Sequence, residues 1–138
     1  KVINNYEKGT PSLKSRLSAV KSAMASGWKV RLCFDPIILV EGWKDAYSSC
    51  IEEVFSAIEG NSITDISLGS FRVPSNYLKT MRKVRRDSDL IYYPFECVEG
   101  IASYQPRVEK ELIEFVHNCI KKHVNSDRIY SIVECDIK

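Results

Sequence analysis

Two short polar clusters stand where apolar runs end: Asp35-Pro36, and Gly69-Ser70-Phe71-Arg72. In parallel α/β folds, ligands bind beyond the C-terminal ends of strands, so these are the first places to seek a site. Upstream of the first cluster, Val30, Leu32 and Phe34 alternate with Arg31, Cys33 and Asp35. In an extended segment this alternation puts Arg31 and Asp35 on one face. A central parallel strand is ordinarily apolar on both faces. The Arg31/Asp35 face is therefore either the wall of a polar lumen or active site, or the solvated face of an edge strand. In the second cluster, Gly69 permits close backbone approach to a ligand. Ser70 offers a hydroxyl, and Arg72 a guanidinium suited to clamping a carboxylate or phosphate. The competing reading is a glycine turn with a surface arginine.

Other polar groups point to chemistry less directly. Arg82, Arg85 and Arg86 share a helical face by i, i+3 and i+4 spacing, with Lys79 and Lys83 beside them. Such a patch can hold phosphates, but cations at a helix C-terminus also complement its dipole. The two histidines, His117 and His123, lack a second ligand at metal-binding spacing. Glu52-Glu53, Glu109 and Glu111 read as solvated helix positions and poor catalytic candidates. Tyr92, Tyr93 and Tyr104 flank or sit in a segment from 94 to 106, bounded by Pro94 and Pro106, that reads as a loop and candidate lid. The tyrosines there either pack in the core or close a pocket. The five cysteines, at 33, 50, 97, 119 and 135, are too widely spaced for a disulfide framework or a local metal site. Residue types alone therefore give no catalytic group and no metal ligand.

The elements that must position the clusters follow from hydrophobic period. A first helix starts near Thr10-Pro11-Ser12, with Thr10 as cap and Pro11 in the first turn, and buries Leu13, Leu17, Val20 and Met24. Gly27 ends it. Trp28 to Asp35 reads as a strand stopped by Pro36, which has no N–H to donate. Trp43, Tyr47, Cys50, Ile51, Val54, Phe55 and Ile58 mark the clearest helix, closed by Gly60. Ile63 to Leu68 is a second strand. Pro74 or Ser75 opens a third helix carrying Tyr77, Leu78, Met81 and Val84. Leu90 to Tyr93 reads as a short strand. Val108, Leu112, Phe115, Val116, Cys119, Ile120 and His123 form a fourth helix, and Ile129 to Ile137 a last strand. Alternation of this kind predicts an α/β fold of strand–helix units around a mainly parallel sheet, in a single domain over 1–138.

Composition narrows the class. Apolar residues make up 44% and charged residues 28% of the 138, a globular composition. A net charge of +2 does not by itself argue for nucleic acid, and no apolar run approaches the length of a membrane span. A cytoplasmic setting is expected. The chain opens on Lys1-Val2-Ile3 without an initiator methionine, and reads as part of something longer.

Four segments, taken in order, resemble spore photoproduct lyase-like radical S-adenosylmethionine (SAM) proteins. They are Glu7-Lys8-Gly9-Thr10-Pro11-Ser12-Leu13 with Arg16-Leu17, Val30 to Ile38, Glu41-Gly42-Trp43 with Tyr47, and Ser67 to Arg72. The resemblance covers roughly residues 6 to 85. It implies the C-terminal part of a TIM-like partial (β/α) barrel, with DNA as a partner of the parent protein. It further implies S-adenosylmethionine and a [4Fe–4S] cluster on a C-x-x-x-C-x-x-C loop, which together generate a 5′-deoxyadenosyl radical that starts reversal of a thymine photoproduct. That loop belongs to the N-terminal half, so this chain carries no cluster ligands and is expected to be inactive alone. Its strand tips, Asp35 and Ser70 to Arg72, with Arg31 on the same wall, would face cofactor or substrate. Typical spore lyases have Ala-Pro where this chain has Asp35-Pro36, and Gln-His-Arg where it has Ser70-Phe71-Arg72. Arg72 is thus the best single carry-over. A barrel half should also expose a sheet edge, open to the N-terminal half or to a second copy. The alternative is a non-catalytic α/β module that binds nucleic acid through the basic helix end and the tyrosines.

Overall fold

The computed structural model describes residues 6, 7 and 9–132. Its elements are α1 (Leu13–Ala25), β1 (Arg31–Ile37), α2 (Trp43–Ala57), β2 (Asp65–Ser70), β3 (Arg72–Pro74), α3 (Ser75–Val84), β4 (Glu96–Val98), β5 (Ile101–Ser103), α4 (Pro106–Ile120) and β6 (Ile129–Ser131). Two small sheets result. The first is parallel, in the order β1-β2-β6, and the second antiparallel, in the order β3-β5-β4. No described helix is long and apolar enough to cross a membrane.

The parallel sheet is centred on β2, which is buried on both faces. Ile66 and Leu68 are fully buried, and Ser67 and Ser70 nearly or fully so. Their strand lies between β1 and β6. Ile51 and Val54 of α2 and Leu112, Ile113, Val116 and Ile120 of α4 join them in one core, with Leu17 of α1. A second, smaller core of Val73, Leu78, Ile91 and Ala102 lies under the antiparallel sheet, and Phe71 and Phe95 touch both.

Several element boundaries differ from expectation. Ser12, not Thr10, caps α1: its Oγ accepts from Ser15 N–H at 3.2 Å, while the Thr10 hydroxyl donates to the Glu7 carbonyl at 2.7 Å. Gly27 ends that helix as expected, at φ 83°. β1 does not stop at Pro36. It runs on to Ile37, which pairs with Ser70 after a register irregularity beyond Phe34 that takes up the missing N–H. The strand also begins later than expected, because the ladder starts only where Arg31 meets Asp65. β2 likewise lies two residues further on, ending at Ser70 rather than Leu68. Gly60 does not close α2, which is capped at Ile58. Gly60 sits instead in a close approach, where a Cβ would stand 2.2 Å from the His123 carbonyl oxygen.

The helix α3 buries only Leu78 fully, while Tyr77 and Val84 are exposed at 59% and 73%. Leu90 to Tyr93 is not a strand. Asp89–Tyr92 forms a 3₁₀ turn that drops Ile91 into the small core. The expected loop from 94 to 106 is largely a hairpin, β4 and β5, turned at Glu99-Gly100 with φ 49° and 81°. Of the last expected strand, residues 129–131 are extended among the described residues, and residues 133–138, Cys135 among them, lie outside the described residues.

Candidate strand-tip site

At the C-terminal ends of β1 and β2 the ladder shifts register between the Phe34–Leu68 and Ile37–Ser70 pairs, and Asp35 and Gly69 come close together there. Arg72, just beyond β2, turns back onto Asp35. Its Nη1 and Nη2 donate to Asp35 Oδ1 at 3.2 Å and Oδ2 at 3.1 Å. This two-point fork fixes the planes of both groups, which a single contact would not. Nη1 also donates to the Ser70 carbonyl at 3.0 Å. The fork fits because residue 69 has no side chain. A Cβ there would lie 2.7 Å from Asp35 Cγ and 2.9 Å from Arg72 Nη1. Gly69 thus serves close approach of this chain's own ion pair, where its sequence context suggested approach of a ligand.

The Ser70 side chain points the other way and is fully buried. Its hydroxyl donates to Glu109 Oε1. Glu109 stands in the first turn of α4, where Pro106 occupies the opening position. The positive end of the helix dipole suits a carboxylate there. The sequence gives no sign of this contact. Glu109 and Glu111 look alike in the helix, yet Glu111 reaches outward to Lys44 at 2.8 Å while Glu109 turns in to the strand tip. Asp35 with Arg72 on one side of the β2 tip and Ser70 with Glu109 on the other make up a strand-tip patch, joined by the Arg72 contact to the Ser70 carbonyl.

The loop that follows β1 is pinned against this patch by two tyrosines. Ile38 N–H donates to Tyr47 Oη and Leu39 N–H to Tyr104 Oη, both at 2.9 Å. Burial is the main cause that pushes each phenol up to about 12. Tyr104 also joins an aromatic group with Tyr93, Phe95 and Phe71, with ring centroids 4.9 to 5.2 Å apart. Of the three tyrosines in this region, Tyr104 is therefore core, Tyr93 half-buried and Tyr92 exposed.

Arg31 is not part of this patch. It lies at the start of β1, four residues before Asp35, or about 13 Å along an extended strand. There its Nε donates to Asp65 Oδ1 at 2.6 Å and its Nη2 to Tyr130 Oη at 2.7 Å. The hydrogen bond to Asp65, then that carboxylate's charge, hold the guanidinium above its ordinary range. The structure thus brings Asp35, Ser70 and Arg72 together, adds Glu109, and leaves Arg31 at the opposite end of the sheet.

The histidines are used locally. His123 stacks on Phe55 with a centroid distance of 4.8 Å, and its Nε2 lies 3.2 Å from Glu52 Oε1. The described cysteines, Cys33, Cys50, Cys97 and Cys119, lie on different elements and are free. Among the described residues no group of three His, Cys, Asp or Glu side chains is placed to hold a metal, so none of these residues offers a ligand set for an iron–sulfur cluster. The strand-tip patch, by contrast, suits a ligand carrying ammonium, carboxylate or ribose hydroxyl groups.

A family model described as spore photoproduct lyase matches residues 1–91. A spore photoproduct lyase of Clostridium acetobutylicum is 27% identical over 140 aligned positions, which take in 96% of this chain and 41% of that protein. One from Geobacillus sp. (strain Y412MC61) is 32% identical over 66 positions, 48% of this chain and 19% of that protein. The chain therefore spans well under half the length of these curated relatives. Among solved structures, a spore photoproduct lyase complexed with dinucleoside spore photoproduct superposes with a TM-score of 0.78, at 22% identity over 94% of this chain and 40% of that one. A mutant of such a lyase with bound AdoMet and dinucleoside spore photoproduct gives 0.77 at the same identity and coverage. The α/β fold with its parallel three-stranded sheet is thus shared with these lyases, as part of a partial barrel.

Proposed function

Because the chain belongs to the spore photoproduct lyase family, we propose that it supplies the later strands of a radical SAM lyase that repairs a thymine photoproduct in DNA. The observation that carries this reading is the strand-tip patch: Asp35, Ser70, Arg72 and Glu109 stand at the C-terminal ends of β1 and β2, where ligands of parallel α/β folds bind. The chemistry of the donor set supports S-adenosylmethionine or the lesion backbone as ligand. Arg72 offers its remaining N–H groups to a carboxylate or phosphate, and the carboxylates suit an ammonium or ribose hydroxyls. When bound, S-adenosylmethionine and the family's [4Fe–4S] cluster supply a carbon radical. The residues of this chain orient and wall the site, and the cluster ligands lie elsewhere in the barrel.

The outer edge of β1, at one end of the parallel sheet, is where the remaining strands of the barrel would pair. A chain without them would pair there with a second copy. A cytoplasmic setting, which keeps thiols reduced, suits the free cysteines.

The test is turnover. Full-length protein, reconstituted with iron and sulfide without oxygen and given S-adenosylmethionine and a reductant, should convert dinucleoside spore photoproduct to a thymine dinucleoside. Arg72→Ala should lower kcat/KM at least about tenfold, equivalent to roughly 1.4 kcal/mol of lost interaction, and Arg72→Lys should not restore it. A reconstituted, brown protein that binds S-adenosylmethionine yet leaves the dinucleoside intact would rule the reading out.

A further inference from the structure

The basic residues of α3 and the turn after it divide into two groups once their partners are known. Arg82 is structural. Its Nε donates to the Ile91 carbonyl at 2.7 Å and its Nη2 to the Tyr93 carbonyl at 3.5 Å, which ties the helix to the 3₁₀ turn. Arg85 is paired with Asp87 at 3.2 Å. Lys79, Lys83 and Arg86 are exposed, and among the described residues their side chains make no hydrogen bond or ion pair. Lys79 and Lys83 are one helical turn apart on the same face, and Arg86 stands in the turn directly beyond. The residues grouped by spacing alone were Arg82, Arg85 and Arg86, so the structure keeps only Arg86 of that set.

Charge is also concentrated here. Residues 75–92 hold five cations and two carboxylates, while the whole chain carries a net charge of only +2. The rest of the chain carries 15 Lys and Arg against 16 Asp and Glu, a net charge of −1, so the chain's net positive charge comes from this segment. Its position is informative as well. α3 starts at Ser75, immediately after the β3 strand that begins with Arg72. Its ten residues span about 15 Å along the helix axis. At about 3.4 Å per nucleotide step, that distance covers roughly four steps of a duplex.

We infer that Lys79, Lys83 and Arg86 form a contact stripe for the phosphate backbone of duplex DNA, engaging phosphates several steps from the nucleotide held at the strand tips. The inference rests on the proposed action on DNA and adds the surface that holds the undamaged flank. Such contacts carry no base information and act through counterion release. A dinucleoside is too short to reach the stripe, so the stripe distinguishes polymer from minimal substrate.

The experiment measures binding of full-length protein to a lesion-free duplex oligonucleotide as salt is raised from 50 to 200 mM. Each of Lys79→Ala, Lys83→Ala and Arg86→Ala should reduce the slope of log affinity against log salt by about 0.9. The triple variant should lose about three times that, roughly a 40-fold smaller drop in affinity across the range. A control triple at exposed lysines of other elements, Lys14, Lys21 and Lys121, should keep the original slope. An unchanged slope in the stripe triple, or an equal loss in the control, overturns the inference. Turnover of the dinucleoside by the unsubstituted protein separates the two proposals. If turnover fails but the stripe variants change the slope, the stripe stands and the lesion assignment falls. If turnover succeeds and the slope does not move, only the stripe falls.

Discussion

The two ends of the parallel sheet each carry an arginine–carboxylate pair, and they differ in what surrounds it. At the strand tips, Arg72 forks onto Asp35 over a glycine with no room for a Cβ, beside a buried serine and a loop pinned by two tyrosines. At the strand starts, Arg31 meets Asp65 with its side chain 63% exposed and Tyr130 beside it. Strand alternation puts Arg31 and Asp35 on the same face, but the length of the strand puts them at opposite ends. The comparison shows that an ion pair becomes part of a site through the elements that restrict it. Solvated pairs of the Arg31 kind contribute little to stability.

This contrast can be broken most sharply with alkali. Tyr47 and Tyr104 are pushed up to about 12 in the folded protein, against an unfolded value near 10. Above pH ~10 the unfolded chain releases phenolic protons that the native state retains, so it binds fewer protons. Stability is therefore fully present below about pH 10 and lost as pH rises through 12, by on the order of 5 kcal/mol for the two residues. Urea midpoints measured across that range should fall steeply, and Tyr104→Phe should flatten the slope. An unchanged slope would mean that the two phenols are not buried as described.

Next in size is Gly69→Ala. The added methyl meets Asp35 and Arg72 well inside contact distance. The fork must open or the strands must part, at a cost of about 1–3 kcal/mol. The loss should appear both in the urea midpoint and in S-adenosylmethionine affinity of the reconstituted protein. If the variant matches the parent in both, Asp35 and Arg72 are free to separate and the patch is not a built unit.

The smallest effect belongs to the other end. Arg31→Ala should leave the melting temperature within the scatter of the measurement and leave dinucleoside turnover unchanged. A drop in turnover comparable to that of Arg72→Ala would erase the distinction between the two ends and restore Arg31 to the site.

Much of this was legible in the residues. The apolar stripe of Ile51, Val54 and Ile58, the alternation through Val30, Leu32 and Phe34, and the polar groups at Asp35 and Ser70 to Arg72 set out helices, a parallel sheet and its tips before any coordinates. Four segments in order were enough to indicate the family. Three features were not legible. The hairpin at 96–103 is short and lies between prolines, so its pairing with β3 depends on a strand far away in sequence. Strand boundaries slipped by two residues because a ladder begins where a partner is available, not where the apolar run begins. Glu109 looked like its neighbour Glu111, since helical period assigns a face but not what that face meets.

By itself, then, the sequence determined period, element type and the family to which the chain belongs, because these depend on neighbours a few residues away or on motifs read in order. Only the tertiary structure decided that Arg72 reaches back to Asp35, that Gly69 makes room for them, that Glu109 takes the Ser70 hydroxyl, and which cations of α3 stay free. Each of these joins or excludes residues whose distance in space bears no relation to their distance along the chain.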